Sequence, residues 1–178
     1  MDDEKLVIKA QNGDKEAFTS LIQKYKKEMY CIAKSRLDSE VDIDDAIQET
    51  LYKAYVNIRK LKDPKYFKTW IIRILYNNCS DITRSDKAKI IPFEDKIMDS
   101  ITDNHDAYLD IANNYDFFEL INSLTDEEKT LITLKFSKEY DNKDISKILK
   151  IKEGSVRMRL LRIREKLKSK FKGEIGNE

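Results

Sequence analysis

Apolar residues recur at helical spacing from the first turn of the chain onward. Leu6, Val7 and Ala10 form a short set that Asn12-Gly13 closes, as an asparagine–glycine pair ends a helix. Asp14 is placed to cap a second helix, whose stripe runs Phe18, Leu21, Ile22, Tyr25, Met29, Ile32 and Ala33. After the acidic stretch Asp38-Ser39-Glu40-Val41-Asp42, a third helix is expected to bury Ala46, Ile47, Leu51, Ala54, Tyr55 and Ile58. Its polar residues Asp45, Gln48, Glu49 and Tyr52 then point elsewhere. Pro64 cannot sit in a helix interior, so the run Lys60–Tyr66 is a break. A fourth helix follows with Phe67, Trp70, Ile71, Ile74, Leu75 and Ile82. Four helices can enclose a core, which predicts a first domain over residues 1–85.

From Asp86 the periodicity fails, and residues 86–107 read as a flexible acidic linker. Helical spacing resumes at Tyr108, Leu109, Ile111, Ala112, Tyr115, Phe118 and Ile121, opening a second domain over 108–178. Thr125-Asp126-Glu127-Glu128 has the form of a capping box, ahead of a helix carrying Leu131, Ile132, Leu134, Lys135 and Phe136. Asp141 or Asn142 caps the next short helix, in which Ile145, Ile148 and Leu149 face inward. Only Lys150-Ile151-Lys152 separates it from a last helix with the stripe Val156, Leu160, Ile163 and Leu167. Two helices joined by so tight a turn have the shape of a helix-turn-helix. The fold class expected is all-α: two small helical domains, the C-terminal one a helix-turn-helix.

Charge sharpens this picture. The 178 residues carry a formal net charge of only +1, with four glycines, two prolines and 38% charged residues, a helix-rich composition. Yet Pro92–Glu128 holds eleven acidic residues against Lys96, and Lys150–Lys172 holds ten basic residues against two acidic ones. The basic end points to nucleic acid and the acidic middle to a solvated linker or a basic partner surface. No apolar run is long enough to span a bilayer, and the acidic start Met1-Asp2-Asp3-Glu4 is not that of a signal peptide, so a cytoplasmic protein is expected. Cys31, Cys79 and His105 are too few for a structural zinc site. The cysteines lie in helical patterns and read as small buried hydrophobes, and His105 as an exposed linker residue. With no phosphate loop and no metal-ligand spacing, neither a cofactor nor a catalytic role is expected.

Four of the eight arginines, Arg157, Arg159, Arg162 and Arg164, fall in the last helix. A helix that buries one stripe and arms the remainder with guanidinium groups suits phosphates and guanine edges, both of which match the arginine fork. Glu153, Ser155, Arg157, Arg159 and Arg162 would face the groove or its walls. Residues near the start of a recognition helix reach bases and later ones hold the backbone. Base reading is therefore assigned to Ser155, Arg157 and Arg159, and backbone contact to Arg162, Arg164 and Lys166.

The run Leu149-Lys150-Ile151-Lys152-Glu153-Gly154-Ser155-Val156-Arg157-Met158-Arg159-Leu160 resembles the promoter-reading helix-turn-helix of bacterial sigma factors. The match is closest to the two-domain extracytoplasmic-function (ECF) subfamily of the sigma-70 family, with its pattern L-G-I-S-x-G-T-V-[KR]-S-R-L. Lys150 stands where that pattern has the glycine of the turn, and Lys152 where it has the capping serine. Asp45-Ala46-Ile47-Gln48-Glu49-Thr50-Leu51 resembles the D-L-V-Q-E-T-F signature of docking on core RNA polymerase. The resemblance thus gives Asp45, Gln48, Glu49 and Tyr52 that role. Phe67-Lys68-Thr69-Trp70-Ile71-Ile72-Arg73-Ile74 resembles F-[RK]-[TA]-W-L-x-R-I, with Asn77, Asp81 and Arg84 in register with the continuation N-L-x-x-D-x-x-R.

In that family this helix and the preceding loop open the proximal (minus-ten) element and capture an unstacked base. The resemblance implies such contacts for Lys60, Lys62, Lys65, Tyr66, Lys68, Arg73, Asn77, Asp81 and Arg84. Lysines neutralise phosphates, while aromatic faces and amide edges hold a displaced base. Tyr66 and Asn77 are the better base contacts, whereas the spacing of Trp70 with Phe67 and Ile74 places it in the core. Tyr76 and Asn78 stand where the family often has a basic and an apolar residue. The distal (minus-thirty-five) element falls to the arginine helix.

The implied function is transcription initiation: binding core polymerase, recognising two promoter elements and assisting melting. The partners expected are core RNA polymerase, promoter DNA and an anti-sigma factor, with no small-molecule substrate and no membrane insertion. The competing reading is a stand-alone dimeric helix-turn-helix regulator, which explains the arginine helix and leaves the first domain without a use.

Overall fold

A computed structural model of the chain describes residues 3–89, 123–137 and 140–175, and within them the structure is helical. Helix α1 spans Asp3–Gln11 and turns back at Gly13, whose φ of 99° is a conformation that glycine adopts freely. Asp14 then caps α2 (Lys15–Lys34), accepting from the Ala17 amide at 2.9 Å. Ser39 caps α3 (Glu40–Asn57) in the same way. Two single 3-10 turns, Ile58–Lys60 and Pro64–Tyr66, carry the chain across the break at Pro64. They deliver it to α4, Phe67–Lys89. That helix runs past Ser85, where the expected first domain ended, so the opening residues of the anticipated linker are helical. The rest of the linker, with His105, and the pattern from Tyr108 to Ile121 lie outside the described residues.

The four helices enclose Val7, Leu21, Met29, Ile32, Ile43, Ala46, Phe67, Ile71, Ile72 and Leu75, all at most 1% exposed. Burying side chains of this size removes about 1.5–3 kcal/mol each from exposure to water, the term that offsets chain entropy. Cys79 is fully buried and Cys31 half-buried, both as free thiols, and burial pushes the Cys79 thiol up to about 11. Asn78, which departs from the family pattern, is 4% exposed and joins α4 to α3. Its amide donates to Thr50 Oγ1 at 2.9 Å and its carbonyl accepts from Lys53 Nζ at 2.7 Å. A satisfied polar pair in an apolar seam specifies one register of two helices better than apolar contact alone.

Tyr55 departs from expectation. It is 49% exposed, with only the edge of its ring against Phe18 at 5.3 Å between centroids. The buried stripe of α3 is Ile43, Ala46, Thr50 and Ala54, and one residue beyond Ala54 lies about 100° around the helix.

In the C-terminal unit Thr125 and Glu128 close both halves of the capping box at the start of α5 (Asp126–Phe136). Phe136, at its end, is 58% exposed. Asp141 rather than Asn142 caps α6 (Asn142–Leu149), accepting from the Asp144 amide at 2.7 Å. Lys150 then takes up left-handed backbone, φ 54° and ψ 40°, and α7 (Glu153–Ile175) begins. Leu131, Leu134, Ile145, Ile148, Val156 and Ile163 are at most 1% exposed and hold the three helices together, with Leu149, Ile151, Leu160 and Leu167 packed around them. This unit lies against the first one, α5 on α2 and α6 on α4.

Lys150→Gly relieves the left-handed strain of a residue with a Cβ and is expected to raise stability by about 0.5–1 kcal/mol, read as a higher urea midpoint. Glu128 supplies a second check. Its hydrogen bond from the Thr125 amide, followed by Lys166, holds its carboxyl below the ordinary value of 4.5. A carboxyl depressed in the folded state contributes stability above its unfolded pKa and loses it as pH falls through the folded one. Thermal melts on acidification below pH 4.5 should therefore show a steeper loss for the wild type than for Glu128→Gln, which keeps the box without the titrating charge.

Candidate functional site

Three polar surfaces remain once the helices have buried their stripes. The first is the outer face of α3, where Asp45, Gln48 and Glu49 are exposed and Tyr52 is 65% exposed. Val41 and Val56 extend the same face at four-residue spacing and stand 69% and 55% exposed. The stripe is therefore polar with an apolar margin, a mixture suited to a protein partner. Glu49 pairs with Lys53 at 3.1 Å. Alongside runs a groove of about 530 Å³, whose far wall is Asn78, Asp81 and Ile82 of α4. Asp81, which the family pattern groups with the proximal-element residues, thus sits across this groove from the α3 stripe.

The second surface surrounds the break between α3 and α4. Lys60 and Lys62 are exposed, and so is Lys65, which pairs with Asp63 at 3.2 Å. Tyr66 lies between two ammonium groups, Lys65 Nζ at 4.8 Å and Lys147 Nζ of α6 at 4.4 Å from the ring centroid. Each such contact contributes about 0.5–1 kcal/mol at a half-open site. Arg73 is exposed, Asn77 half-buried, and Arg84 pairs with Asp81 at 3.5 Å on the open face. Trp70 packs on Phe67 at 5.9 Å, as its spacing predicts.

Lys68 behaves differently from its neighbours. Its side chain is 18% exposed and points inward, 3.7 Å from Glu28 Oε1 and 4.4 Å from the centroid of the Tyr140 ring. Burial pulls the Lys68 ammonium down and pushes the Glu28 carboxyl up, each shift opposed by the other's charge. Burial and the Glu28 carboxylate together raise the Tyr140 phenol, so it stays neutral. Neither Glu28 Oε1 nor the Tyr140 hydroxyl reaches a hydrogen bond of good geometry, although each acts on the other's ionisation. In this arrangement Lys68 serves the seam between the two units and is not offered to a phosphate.

The third surface is α7. Arg157, Arg159, Arg162, Arg164 and Lys166 are exposed, and Ser155 and Glu153 are half-buried at the start of the helix. Glu153 and Arg157 pair across one turn at 2.9 Å. Arg159 reaches Glu127 at 3.1 Å and Lys166 reaches Glu128 at 2.9 Å, so the first turn of α5 anchors two of the cations. Exposed pairs of this kind contribute at most about 1 kcal/mol and yield readily to a phosphate. Arg162 and Arg164 stand outward. Lys152 occupies the capping position of α7, its carbonyl accepting from the Ser155 and Val156 amides.

Several contacts escape reasoning from periodicity. Met158 and Leu161 are 52% and 48% exposed among the arginines, because the stripe beneath them already fills the core. Arg36 stacks over Tyr76 at 4.7 Å and donates to Thr130 Oγ1 of α5 at 3.1 Å and to Ser80 Oγ at 3.3 Å. Its partners lie 44 and 94 residues away, so no local pattern announces them.

The model of sigma-70 region 2 matches residues 21–89 and that of sigma-70 region 4 matches residues 116–167. Among similar proteins is the ECF RNA polymerase sigma-E factor of Haemophilus influenzae, 29% identical over 182 residues and covering 95% of each chain. Another is the ECF RNA polymerase sigma factor SigW of Bacillus subtilis, 29% identical over 94% of this chain and 96% of that protein. Among solved structures, CnrH in complex with the cytosolic domain of CnrY aligns with a TM-score of 0.70 at 22% identity, covering 96% of this chain and 97% of that one. The sigma factor RpoE in complex with the anti-sigma factor NepR, from Bartonella quintana, aligns with a TM-score of 0.69 at 21% identity, covering 87% and 96%.

Proposed function

The chain belongs to the ECF subfamily of the sigma-70 family of transcription initiation factors, and from that membership we propose how its three surfaces divide the work. A member of this family binds core RNA polymerase, recognises two promoter elements and assists promoter melting. The α3 stripe of Asp45, Gln48, Glu49 and Tyr52 is the docking surface for core polymerase. Lysines 60, 62 and 65 with Tyr66, Arg73, Asn77, Asp81 and Arg84 engage the minus-ten element, while Lys68, which the family pattern places with them, is turned inward onto Glu28. Glu153, Ser155 and the cations of α7 read the minus-thirty-five element. The chain catalyses no reaction of its own and acts in the cytoplasm, where polymerase and promoter are.

The observation that carries this reading is the exposed α3 stripe, separate from both basic surfaces. A stand-alone regulator needs a DNA-binding helix and a dimer contact, and has no use for a third, acidic face on another unit. Acidic residues edged by Val41, Tyr52 and Val56 suit a basic helical partner surface, with the apolar margin contributing burial and the carboxylates orientation. We further assign an anti-sigma factor as a partner. Among the solved structures it resembles, the sigma factor RpoE is held with an anti-sigma factor and CnrH with the cytosolic domain of CnrY.

Run-off transcription with purified core polymerase tests the assignment, because promoter-dependent transcripts should appear only when the chain is added. No transcript from any cognate promoter sinks it. Tyr52→Ala, at an exposed position, should leave the helix content intact and weaken capture by core polymerase on the order of tenfold, measured by pull-down titration.

A second pair of variants divides base from backbone contacts on α7. Arg157→Ala should lower affinity together with preference among minus-thirty-five sequences. Lys166→Ala should weaken all sequences alike and reduce the salt slope by about one. Equal losses across sequences for both variants would refute the division.

A further inference from the structure

The ridge of α7 farthest from the core is apolar at two positions. Val156 and Ile163 fix the buried side of the helix. Met158 stands two residues beyond Val156 and Leu161 two residues before Ile163, each about 200° round from that buried side. Both point away from the core, and they are 52% and 48% exposed. Being three residues apart they are neighbours on the helix surface, and Arg162, four residues from Met158, adjoins them. The other cations lie to either side. Arg159 and Lys166 lean towards α5, on Glu127 at 3.1 Å and Glu128 at 2.9 Å. Arg157 and Arg164 occupy the opposite flank, where Arg157 is held by Glu153 at 2.9 Å.

We propose that Met158 and Leu161 read the methyl groups of thymines at neighbouring base pairs of the minus-thirty-five element. The proposal rests on the assignment of that element to α7 given above. A major groove about 12 Å wide admits one α-helix, so the ridge meets base edges while the flanks meet the two walls. Base pairs present donors and acceptors there, and the thymine methyl is the apolar group among them. An apolar side chain pressed on a donor or acceptor displaces its water and returns no hydrogen bond. Against a methyl group the same side chain buries apolar surface, so the ridge selects thymine. Met158 and Leu161 lie about 4.5 Å apart along the axis, little more than one base step of about 3.4 Å, which sets the two methyls on neighbouring pairs. The sequence points the same way. Met158 stands where the family pattern has a serine, whose hydroxyl donates or accepts and so tolerates a polar edge. A thioether has no donor and accepts only weakly, which narrows what can lie opposite. Its unbranched chain also bends to follow a methyl group, as a contact made by shape requires.

The test uses holoenzyme assembled from the full-length chain and core polymerase, with a pool of duplexes randomised at both promoter elements. Sequencing of the bound fraction should show thymine, on either strand, at two neighbouring base pairs of the upstream element. The selected duplex is then made with deoxyuridine at each of its thymines in turn, which removes only the methyl group. Wild-type holoenzyme should lose about threefold to fivefold in affinity at each of the two positions, the effect of one buried methyl. Met158→Ser and Leu161→Ala should each become indifferent to deoxyuridine at one position, a different one for each variant. Both residues are exposed, and an unchanged helical circular dichroism signal checks that each variant folds.

An upstream element without thymine, or one whose thymines all tolerate deoxyuridine in the wild type, overturns the proposal. Sensitivity that persists in both variants overturns it as well, by giving the methyls to other side chains. If Leu161→Ala then also loses core-polymerase capture, the ridge belongs to a protein contact. A pool in which no upstream element is enriched removes the assignment of α7 itself, and the absence of any sequence preference distinguishes that result from the others.

Discussion

Burial of one stripe of each helix decides which side chains this protein can offer to anything else. Val156 and Ile163 face the core of the C-terminal unit, and that alone turns Arg157, Arg162 and Arg164 outward on α7. Ile43, Ala46, Thr50 and Ala54 do the same for α3, leaving Asp45, Gln48, Glu49 and Tyr52 as a continuous exposed face. The rotation of each helix about its own axis is set by apolar burial, and specificity is carried by what remains.

Two polar devices refine that arrangement. Asn78 ties α4 to α3 through Thr50 and Lys53 and so sets the exposed α3 stripe against α4, which carries Arg73, Asn77, Asp81 and Arg84. Its departure from the family's apolar residue is compensated locally, which is why it does not disturb the core. Arg36, stacked on Tyr76 and donating to Thr130 Oγ1 of α5, is the corresponding device between the two units. The two residues of α4 that depart from the family pattern, Tyr76 and Asn78, are thus both engaged in holding helices to one another.

The turn of the helix-turn-helix shows the opposite balance. Lys150 adopts left-handed backbone that glycine would adopt at lower cost, and Lys152 stands at a capping position with an ammonium that cannot accept from the free amides of the first turn. Both exchanges lower stability and both add positive charge at the turn, next to the arginines of α7. A stability cost borne where charge is useful is a common arrangement at binding sites, where local rules are broken for function.

Periodicity alone determined the all-α class, the helices from α1 to α7 and nearly every cap, because a helix advertises its buried face every three or four residues. Asp14, Thr125 with Glu128, and Asp141 act within four residues of themselves and were legible for the same reason. The α3 stripe and the arginine helix followed from the same spacing. Tyr55 was misplaced because an amphipathic ring satisfies an apolar pattern while lying at its edge. What only the tertiary structure decided is the seam. Glu28 meets Lys68 across 40 residues, and Arg36 meets Thr130 across 94, distances at which no spacing rule operates. Lys68 read as one phosphate-binding lysine among four, and folding turned it inward because a buried carboxylate and an aromatic ring from the far end of the chain converge on it.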